Sequence, residues 1–219
     1  MPSIPVIMCF GDSLTAGYQS PTADFPSLRA TPYGAMLQER LGAQARVAVS
    51  GICGELTGEM VLRFRRDVLA HAPAAVVVLG GTNDLGWNAA PAEIMRNLLK
   101  LYEQALAAGI RPVAVTVPPI RGERGFIDDG PAGLEAPHRV GESIGQRQAL
   151  NRLIADYCLR RRVACVDLFA ATSEPEAQCL AAPYSNDGVH LTTEGYRVFA
   201  DLLYDQVFAG WLGGPGHPG

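Results

Sequence analysis

The amino-acid sequence predicts an α/β fold, in which a parallel β-sheet is covered by helices on both faces. Short, nearly continuous apolar runs are typical of strands that are buried on both faces. Stretches with helical periodicity separate these runs, and repeated strand–helix–strand units favour a parallel sheet with right-handed crossovers. The predicted strands are Ile4–Phe10, Arg46–Val49, Ala75–Leu79, Val113–Val117 and Val163–Val166.

Apolar residues recur every three or four positions in four segments, which predicts four amphipathic helices. Gly109 is placed to end the second of them, and Thr192 or Thr193 to cap the last. Three arginines of the first helix are expected to face solvent, namely Arg63, Arg65 and Arg66. The apolar faces are Met60, Val61, Phe64 and Val68; Ile94, Leu98, Leu101 and Ala105; Leu150, Leu153, Ile154 and Tyr157; and Tyr196, Phe199, Leu203 and Val207.

The length of 219 residues and the hydrophobic content of 48% allow a sizeable core and favour one domain. We predict that this domain covers residues 1–209. Pro118–Gly145 is rich in proline, glycine and charge, and it follows the fourth strand. It therefore predicts a long loop at the edge of the sheet where the site would lie. Residues 210–219 are mostly glycine and proline, which predicts a flexible tail.

The composition argues against two kinds of partner. A net charge of -4 does not suit a nucleic-acid partner, which needs a basic face. No apolar run reaches the length of a membrane span. The residues before the first strand lack the basic start and the cleavage site of a signal peptide, so we expect a cytoplasmic protein.

The five cysteines favour neither a disulfide framework nor a zinc site, because their number is odd and no CxxC pair occurs. Cys9 and Cys165 lie in apolar runs and are expected in the core. Cys53 lies in a loop that follows Gly51, and a buried thiol is the favoured interpretation there too. Cys158 and Cys179 complete the set.

Residues that suit acyl transfer follow the first three predicted strands. Ser13 follows the first strand, Gly51 the second and Asn83 the third. The carboxyl ends of parallel strands meet at one edge of the sheet, where ligands bind, so we expect these residues to lie together. Asp187 and His190 stand three residues apart just before the last helix.

These residues supply the groups that acyl transfer to a serine requires. Ser13 would be the nucleophile and His190 its base, since imidazole titrates near neutral pH. Asp187 would accept the Nδ1 proton of His190 and hold the ring in the useful tautomer. The oxyanion needs hydrogen-bond donors, and we assign the N–H groups of Ser13 and Gly51 and the side-chain amide of Asn83.

Four blocks in this order resemble the SGNH hydrolases, the GDSL esterase/lipase family. The blocks are Phe10–Gly17, Ser50–Gly54, Gly81–Asp84 and Asp187–Leu191, and the resemblance spans residues 4–208. It implies a flavodoxin-like three-layer α/β/α sandwich with a five-stranded parallel sheet. It also implies a catalytic triad of Ser13, His190 and Asp187, an oxyanion hole of Ser13, Gly51 and Asn83, and neither a cofactor nor a metal.

We therefore predict a serine esterase that cleaves small-molecule carboxylic esters through an acyl-enzyme. Short acyl chains are favoured because no extended apolar stretch flanks the four blocks. A thioesterase, a lysophospholipase or a carbohydrate acetylesterase would use the same site. The sequence does not indicate the oligomeric state.

Two alternatives belong to other classes of protein. Ser13, Thr15 and Gly17 could cradle the phosphate of a flavin or a nucleotide in a flavodoxin-like module. Metal-assisted phosphoryl chemistry would instead use three acids, Asp12, Asp84 and Asp187, to hold Mg²⁺. Packing is at least as well favoured as ligand contact for five further residues, Phe25, Tyr33, Trp87, His138 and Tyr184.

Overall fold

The computed structural model describes residues 4–122 and 136–212, which form a β-sheet between two layers of helices. The strands in chain order are β1 (Val6–Gly11), β2 (Tyr18–Gln19), β3 (Arg29–Ala30), β4 (Arg46–Gly51), β5 (Ala75–Leu79), β6 (Arg111–Val115) and β7 (Ala164–Val166). The helices are α1 (Ser13–Ala16), α2 (Tyr33–Leu41), α3 (Thr57–Asp67), α4 (Thr82–Gly86), α5 (Pro91–Ala107), α6 (Ala136–Arg161), α7 (Leu168–Thr172), α8 (Thr193–Leu203) and α9 (Ala209–Leu212).

Five parallel strands form the main sheet in the order β4-β1-β5-β6-β7, and β2 pairs with β3 in a separate antiparallel hairpin. Counting only the strands of the main sheet along the chain, this order is the 2-1-3-4-5 arrangement of flavodoxin-like folds. The predicted sheet is confirmed, and its strands begin and end within two residues of the predicted positions. The fourth strand ends early because the backbone of Val117 bonds to the side chain of Asn151.

Alternate residues of the buried strands face opposite helical layers, as period-two geometry requires. Ile7, Cys9 and Val77 pack with residues of α2 and α8, including Tyr33 and Phe199. On the other face, a second core joins the sheet to α3, α5 and α6 through residues that include Met8, Phe10, Val76, Phe64, Leu98 and Ile154. The three-layer α/β/α architecture is therefore confirmed.

The four predicted helices correspond to α3, α5, α6 and α8, and Thr192 caps α8 by accepting the Gly195 N–H at 3.2 Å. The helix α2 was not predicted. Its residue Tyr33 is fully buried against Phe199, which agrees with the packing interpretation of Tyr33.

Three predictions about irregular or exposed segments are wrong in part. α6 begins at Ala136, so the end of the predicted 118–145 loop is helical. α9 reaches Leu212, and Trp211 packs on Phe208 with ring centroids 5.7 Å apart, so the predicted tail is helical at its start. Arg63 of α3 is only 7% exposed rather than solvated.

Other parts of these predictions stay untested. Residues 123–135 and 213–219 lie outside the described residues, as does the side chain of His138, and the domain limits 1–209 remain a prediction. Among the cysteines, Cys9 is buried as expected, whereas Cys53 is exposed and the expected buried thiol is wrong there.

Candidate active site

The carboxyl ends of β1, β4 and β5 bring three predicted site residues to one edge of the sheet. The register pairs Gly11 at the end of β1 with Gly51 on one side and Leu79 on the other. Ser13 begins α1 just beyond β1, and Asn83 lies in α4 just beyond β5. Three segments that are distant along the chain therefore start their loops side by side.

Asp12 holds the turn that presents Ser13. Its Oδ1 atom accepts the Leu14 N–H at 2.9 Å, and its carbonyl oxygen accepts the N–H groups of Thr15 and Ala16. The side chain of Asp12 is thus the N-cap of α1. This cap leaves the Ser13 N–H at the first position of the helix, where no backbone carbonyl of the helix can accept it.

Ser13, His190 and Asp187 form one hydrogen-bonded chain. The Oγ atom of Ser13 lies 3.1 Å from Nε2 of His190, and Nδ1 of His190 lies 2.7 Å from Oδ2 of Asp187. Ser13 and Asp187 are buried, whereas His190 is half-buried. A nucleophile within reach of a base, which a third group orients, is the arrangement that activates a serine hydroxyl.

Asp187 is surrounded by donors. Its Oδ1 atom accepts the N–H groups of Val189 at 2.8 Å and His190 at 2.7 Å, and the Ser20 hydroxyl donates to Oδ2. Burial alone would raise the pKa of this carboxyl, but the hydrogen bonds from His190, Ser20 and Val189 outweigh it and hold the pKa well below its ordinary value. The carboxylate therefore stays charged beside the imidazole.

A tight turn brings Asp187 back to His190. Gly188 has a φ of +79°, and a Cβ atom at this position would lie 2.0 Å from the Arg121 carbonyl oxygen. The Arg121 N–H donates to the Gly188 carbonyl at 2.8 Å, which ties the turn to the segment after β6. Glycine is required here for both its conformation and its small volume.

The hairpin of β2 and β3 supports the imidazole from the other side, and the sequence did not reveal this. The Tyr18 ring packs on His190 with a centroid distance of 4.5 Å, and Ser20 donates to Asp187. The Tyr18 carbonyl accepts the Tyr196 hydroxyl at 2.8 Å. Two-residue strands give almost no periodic signal. The proline and glycine residues of this region indicate a turn, but they do not indicate the strands beside it.

Asn83 bonds to the loop that follows β4. Its Nδ2 atom donates to the Glu55 carbonyl oxygen at 2.9 Å. The next residue, Asp84, accepts the Thr57 N–H at 3.0 Å and the Thr57 hydroxyl at 2.6 Å. These three bonds connect α4 to Glu55 and to the start of α3, so Asn83 is oriented by a residue that lies 28 positions earlier.

Gly51 occupies a crowded position, but its N–H does not face β1. A Cβ atom here would lie 2.3 Å from the Ala16 nitrogen, which explains the glycine. The N–H groups of Arg46 and Ile52 donate to Pro5, just before β1, and to Gly11 at its end, whereas that of Val47 donates to Gln38 of α2. Gly51 and Val47 are separated by an even number of positions in β4, so their N–H groups point the same way. The Gly51 N–H therefore points away from β1, the strand that leads to Ser13.

The family model for the GDSL-like lipase/acylhydrolase family matches residues 9–198. This chain belongs to that family. The matched region contains Ser13, Asn83 and the Asp187–His190 pair, so the residues of the hydrogen-bonded chain lie within the shared domain. Membership makes the protein a carboxylic ester hydrolase.

Two relatives and one solved structure extend this GDSL assignment. The chain is 28% identical over 215 residues to YqeF, an uncharacterized lipoprotein of Bacillus subtilis, covering 91% of this chain and 88% of the relative. It is 25% identical to a GDSL esterase/lipase of Arabidopsis thaliana, covering 95% and 87%. The native aryl esterase of M. smegmatis superposes with a TM-score of 0.73 at 20% identity, covering 94% and 99%, and so shows the same fold.

The described residues of this GDSL hydrolase disfavour the phosphate-cradle alternative. Ser13 and Thr15 lie in a helical turn rather than in an open loop, and Thr15 is fully buried near the Tyr33 hydroxyl. A phosphate needs several exposed donors, and Thr15 cannot provide one.

The three acids of the metal alternative do not converge. Asp84 accepts a hydrogen bond from the Thr57 hydroxyl, and Asp12 accepts one from the Leu14 N–H. Asp187 bonds to Nδ1 of His190. Over residues 4–122 and 136–212, no group of three acidic, histidine or cysteine side chains could hold a metal ion. The carboxylates of this GDSL hydrolase serve as caps and as a histidine partner.

A cavity of about 520 Å³ lies at the opposite edge of the sheet, away from Ser13. It is lined by the starts of β5, β6 and β7 and by residues 206–211, including Ile110, Arg111, Arg162 and Phe208. The cavity shares no residue with the GDSL site.

Of the side chains weighed as ligand contacts, Trp87 is 80% exposed and Phe25 55% exposed. Within the part of the chain that is described, no helix is long and apolar enough to cross a membrane.

Proposed function

We propose that this GDSL hydrolase cleaves carboxylic esters through an acyl-enzyme on Ser13, with His190 as base and Asp187 as its partner. The observation that carries the proposal is the continuous chain from Ser13 Oγ through both ring nitrogens of His190 to Asp187, with distances of 3.1 Å and 2.7 Å. This chain provides both the proton acceptor and the group that orients it.

The reaction takes place in two steps. Nε2 of His190 takes the Ser13 proton while Oγ bonds to the ester carbonyl carbon, and the tetrahedral intermediate then breaks the bond to the alcohol oxygen. The imidazolium gives its proton to that oxygen, and the alcohol leaves. Water then attacks the acyl-enzyme, His190 takes its proton, and Ser13 recovers a proton as the acid is released.

The oxyanion requires donors, and the Ser13 N–H and the Asn83 amide suit this role because both lie beside the end of β1. Gly51 was predicted as the third donor, but the direction of its N–H favours another residue of the same loop. Gly54 is exposed and directly precedes Glu55, whose carbonyl holds the Asn83 amide. We propose the Gly54 N–H as the third donor.

The substrate class is proposed as small esters with short acyl chains. Exposed apolar side chains follow the strands at this edge, Ile52 after β4 and Trp87 after α4, and an aryl or alkyl leaving group could pack on them. Esters of sugars and thioesters use the same chemistry and remain alternatives. We retain the cytoplasm as the proposed location, and the lipoprotein description of YqeF makes export the alternative to test.

The proposal is tested with Ser13→Ala and a matched control, Ser27→Ala, which changes an exposed serine near the hairpin. With p-nitrophenyl acetate, Ser13→Ala should lower kcat by about 10⁴-fold or more, because no other group replaces the nucleophile. Ser27→Ala should match the wild type. A p-nitrophenyl ester series with an acetylated sugar in parallel would rank the substrates.

A fluorophosphonate probe supplies an independent measurement. Mass spectrometry should find the adduct on Ser13 in the wild type and no adduct in Ser13→Ala. Retained turnover in Ser13→Ala, or an adduct on another residue of the active wild-type protein, would contradict the proposal.

A further inference from the structure

A buried arginine lies directly behind the proposed oxyanion hole. Arg63 projects from α3, and its guanidinium lies 4.1 Å from the centre of the Phe10 ring at the end of β1. An arginine is strongly hydrated in water, and burying its charge is costly without close partners. The partners of Arg63 therefore show what the protein gains from placing it there.

The main partner of Arg63 is Glu55. Nε of Arg63 donates to Oε1 of Glu55 at 2.5 Å, and Nη2 donates to Oε2 at 2.5 Å. Both side chains are buried, with exposures of 7% and 5%. Two parallel bonds between a guanidinium and a carboxylate fix both position and angle, so this pair holds Glu55 more rigidly than a single contact would.

Glu55 is also the residue that orients Asn83. The backbone carbonyl of Glu55 accepts the Asn83 amide at 2.9 Å, while the carboxylate of the same residue is held by Arg63. A displacement of Glu55 would move both the acceptor of the Asn83 amide and the adjoining peptide of Gly54. One residue thus couples the arginine to two proposed oxyanion donors.

Arg63 further connects the ends of the two strands that lead into the site. Its Nη2 atom donates to the carbonyl oxygens of Gly11 at 3.0 Å and Ser50 at 3.3 Å, and Nη1 donates to the Ser50 hydroxyl at 2.6 Å. Gly11 stands two residues before Ser13, and Ser50 is the next-to-last residue of β4, which leads into the loop that contains Gly54. The guanidinium therefore fixes the spacing between the nucleophile and the loop.

The remaining charge around Arg63 is balanced within the same helix. Asp67, one turn later, accepts from Nη1 at 2.9 Å and is also paired with the exposed Arg66 at 2.5 Å. The bonds from Arg66 and Arg63 lower the pKa of Asp67 to about 2, against a smaller opposing effect of burial. Arg66 thus has the same residue type, helix and acid partner, but it does not reach the strand ends.

We propose that Arg63 and Glu55 form a positioning pair for the oxyanion hole, which sets the Asn83 amide and the loop after β4 at the distance from Ser13 that the transition state needs. The proposal rests on the proposed function of Ser13 and Asn83. Neither member of the pair is assigned contact with the substrate. Lysine cannot replace Arg63, because an ammonium group cannot bond in parallel to Glu55 and still reach both strand carbonyls.

The test uses Arg63→Lys and Glu55→Gln, each alone and combined with Asn83→Ala, and Arg66→Lys is the matched control. Glu55→Gln keeps the side-chain shape and the backbone carbonyl, so it remains informative if Arg63→Lys folds poorly. Circular dichroism and melting curves establish folding, and assays are run well below each melting temperature. The substrate is p-nitrophenyl acetate, and kcat and KM are determined separately.

We expect Arg63→Lys to lower kcat by about tenfold or more with KM changed less than about twofold, because a displaced donor loses transition-state stabilisation. Glu55→Gln should act in the same direction, and Arg66→Lys should match the wild type. In the Asn83→Ala background, the loss caused by Arg63→Lys should be at least about threefold smaller, because one of the two donors that the pair positions is already gone.

Equal losses with and without Asn83, or an unchanged kcat in both folded variants, would overturn the positioning role. Fluorophosphonate labelling of wild-type Ser13 separates this failure from that of the proposed function. A labelled serine with additive losses removes only the Arg63–Glu55 inference, whereas an unlabelled serine removes the esterase mechanism on which it depends.

Discussion

Two halves of the site are assembled in different ways. In the base loop, residues 185–191, the bonds that fix Asp187 against His190 are local, since Asp187 accepts from Val189 and His190 two and three positions away, and Ser20 and Arg121 add distant contacts. The oxyanion side comprises Ser13, residues 50–55 and Asn83, and its contacts span 28 positions from Glu55 to Asn83 and 52 from Gly11 to Arg63. The acid and the base therefore come from one short turn, whereas the oxyanion side depends on the packing of α3 against the sheet.

From this difference we expect substitutions in the base loop to prevent proton transfer, and substitutions on the oxyanion side to remove or displace individual hydrogen-bond donors. The base either can or cannot accept a proton from Ser13, so changes there should remove most of the rate. Donors on the oxyanion side contribute separately, and the loss of one leaves the others in place. We therefore expect the loss of kcat to be largest for substitutions in the base loop and smaller for substitutions on the oxyanion side.

Asp187→Asn should give the largest effect within this comparison. The amide would donate an N–H group to Nδ1 of His190, so the imidazole would carry its own hydrogen on Nε2. Nε2 could then no longer accept the Ser13 proton. We expect kcat for p-nitrophenyl acetate to fall by about 10⁴-fold while the fold is retained. Asp167→Asn, the same change at a carboxylate that caps α7, is the control. A loss of less than about tenfold would contradict the role of Asp187.

Asn83→Ala should give a smaller loss that is concentrated in kcat. Removing one oxyanion donor costs about 10²–10³-fold, and KM should change little because the donor acts on the transition state. Asn97→Ala is the matched control. The Asn97 amide also bonds near the start of α3, to Thr57 at 3.2 Å, but Asn97 lies in α5 rather than in α4. If KM rises while kcat stays unchanged, Asn83 binds the ground state and the oxyanion assignment is wrong.

The base loop and the strands could be predicted from the sequence because their signals are local. Asp187 and His190 stand three positions apart beside a glycine, and the chain between them is too short for many alternative geometries. The strand Ala75–Leu79 is a pure apolar run and was placed without error. Ser13 was found because it follows directly after such a run.

The support of the oxyanion side could not be predicted, because its partners are defined only by the tertiary fold. Helical periodicity places a charged residue such as Arg63 on the solvent side of α3, and nothing near it in the sequence names Gly11 or Ser50 as acceptors. The same holds for Gly51: the sequence shows a glycine at the end of a strand, but the direction of its N–H depends on which strand pairs with which edge of β4.

Asp12 lies between the two halves and should have the smallest effect on activity but a pH-dependent effect on stability. Its Oδ2 atom has no hydrogen-bond partner among the described residues, and burial raises its pKa to about 7, more than the bond from Leu14 lowers it. The folded protein therefore holds a proton here more tightly than the unfolded chain does. The free energy of unfolding consequently decreases as the pH rises from about 4 to about 7.

Asp12→Asn removes this titration while its oxygen can still accept the Leu14 N–H. Melting curves at pH 5 and pH 8 should show a difference in Tm, variant minus wild type, that increases by several degrees toward pH 8, because the wild type must then bury a charge. Turnover should change by less than about tenfold, since Asp12 braces the helix of Ser13 without bonding to the reacting atoms. A Tm difference that is the same at both pH values would show that the Asp12 carboxyl does not titrate across this range, and would leave its cap to Leu14 as its whole contribution.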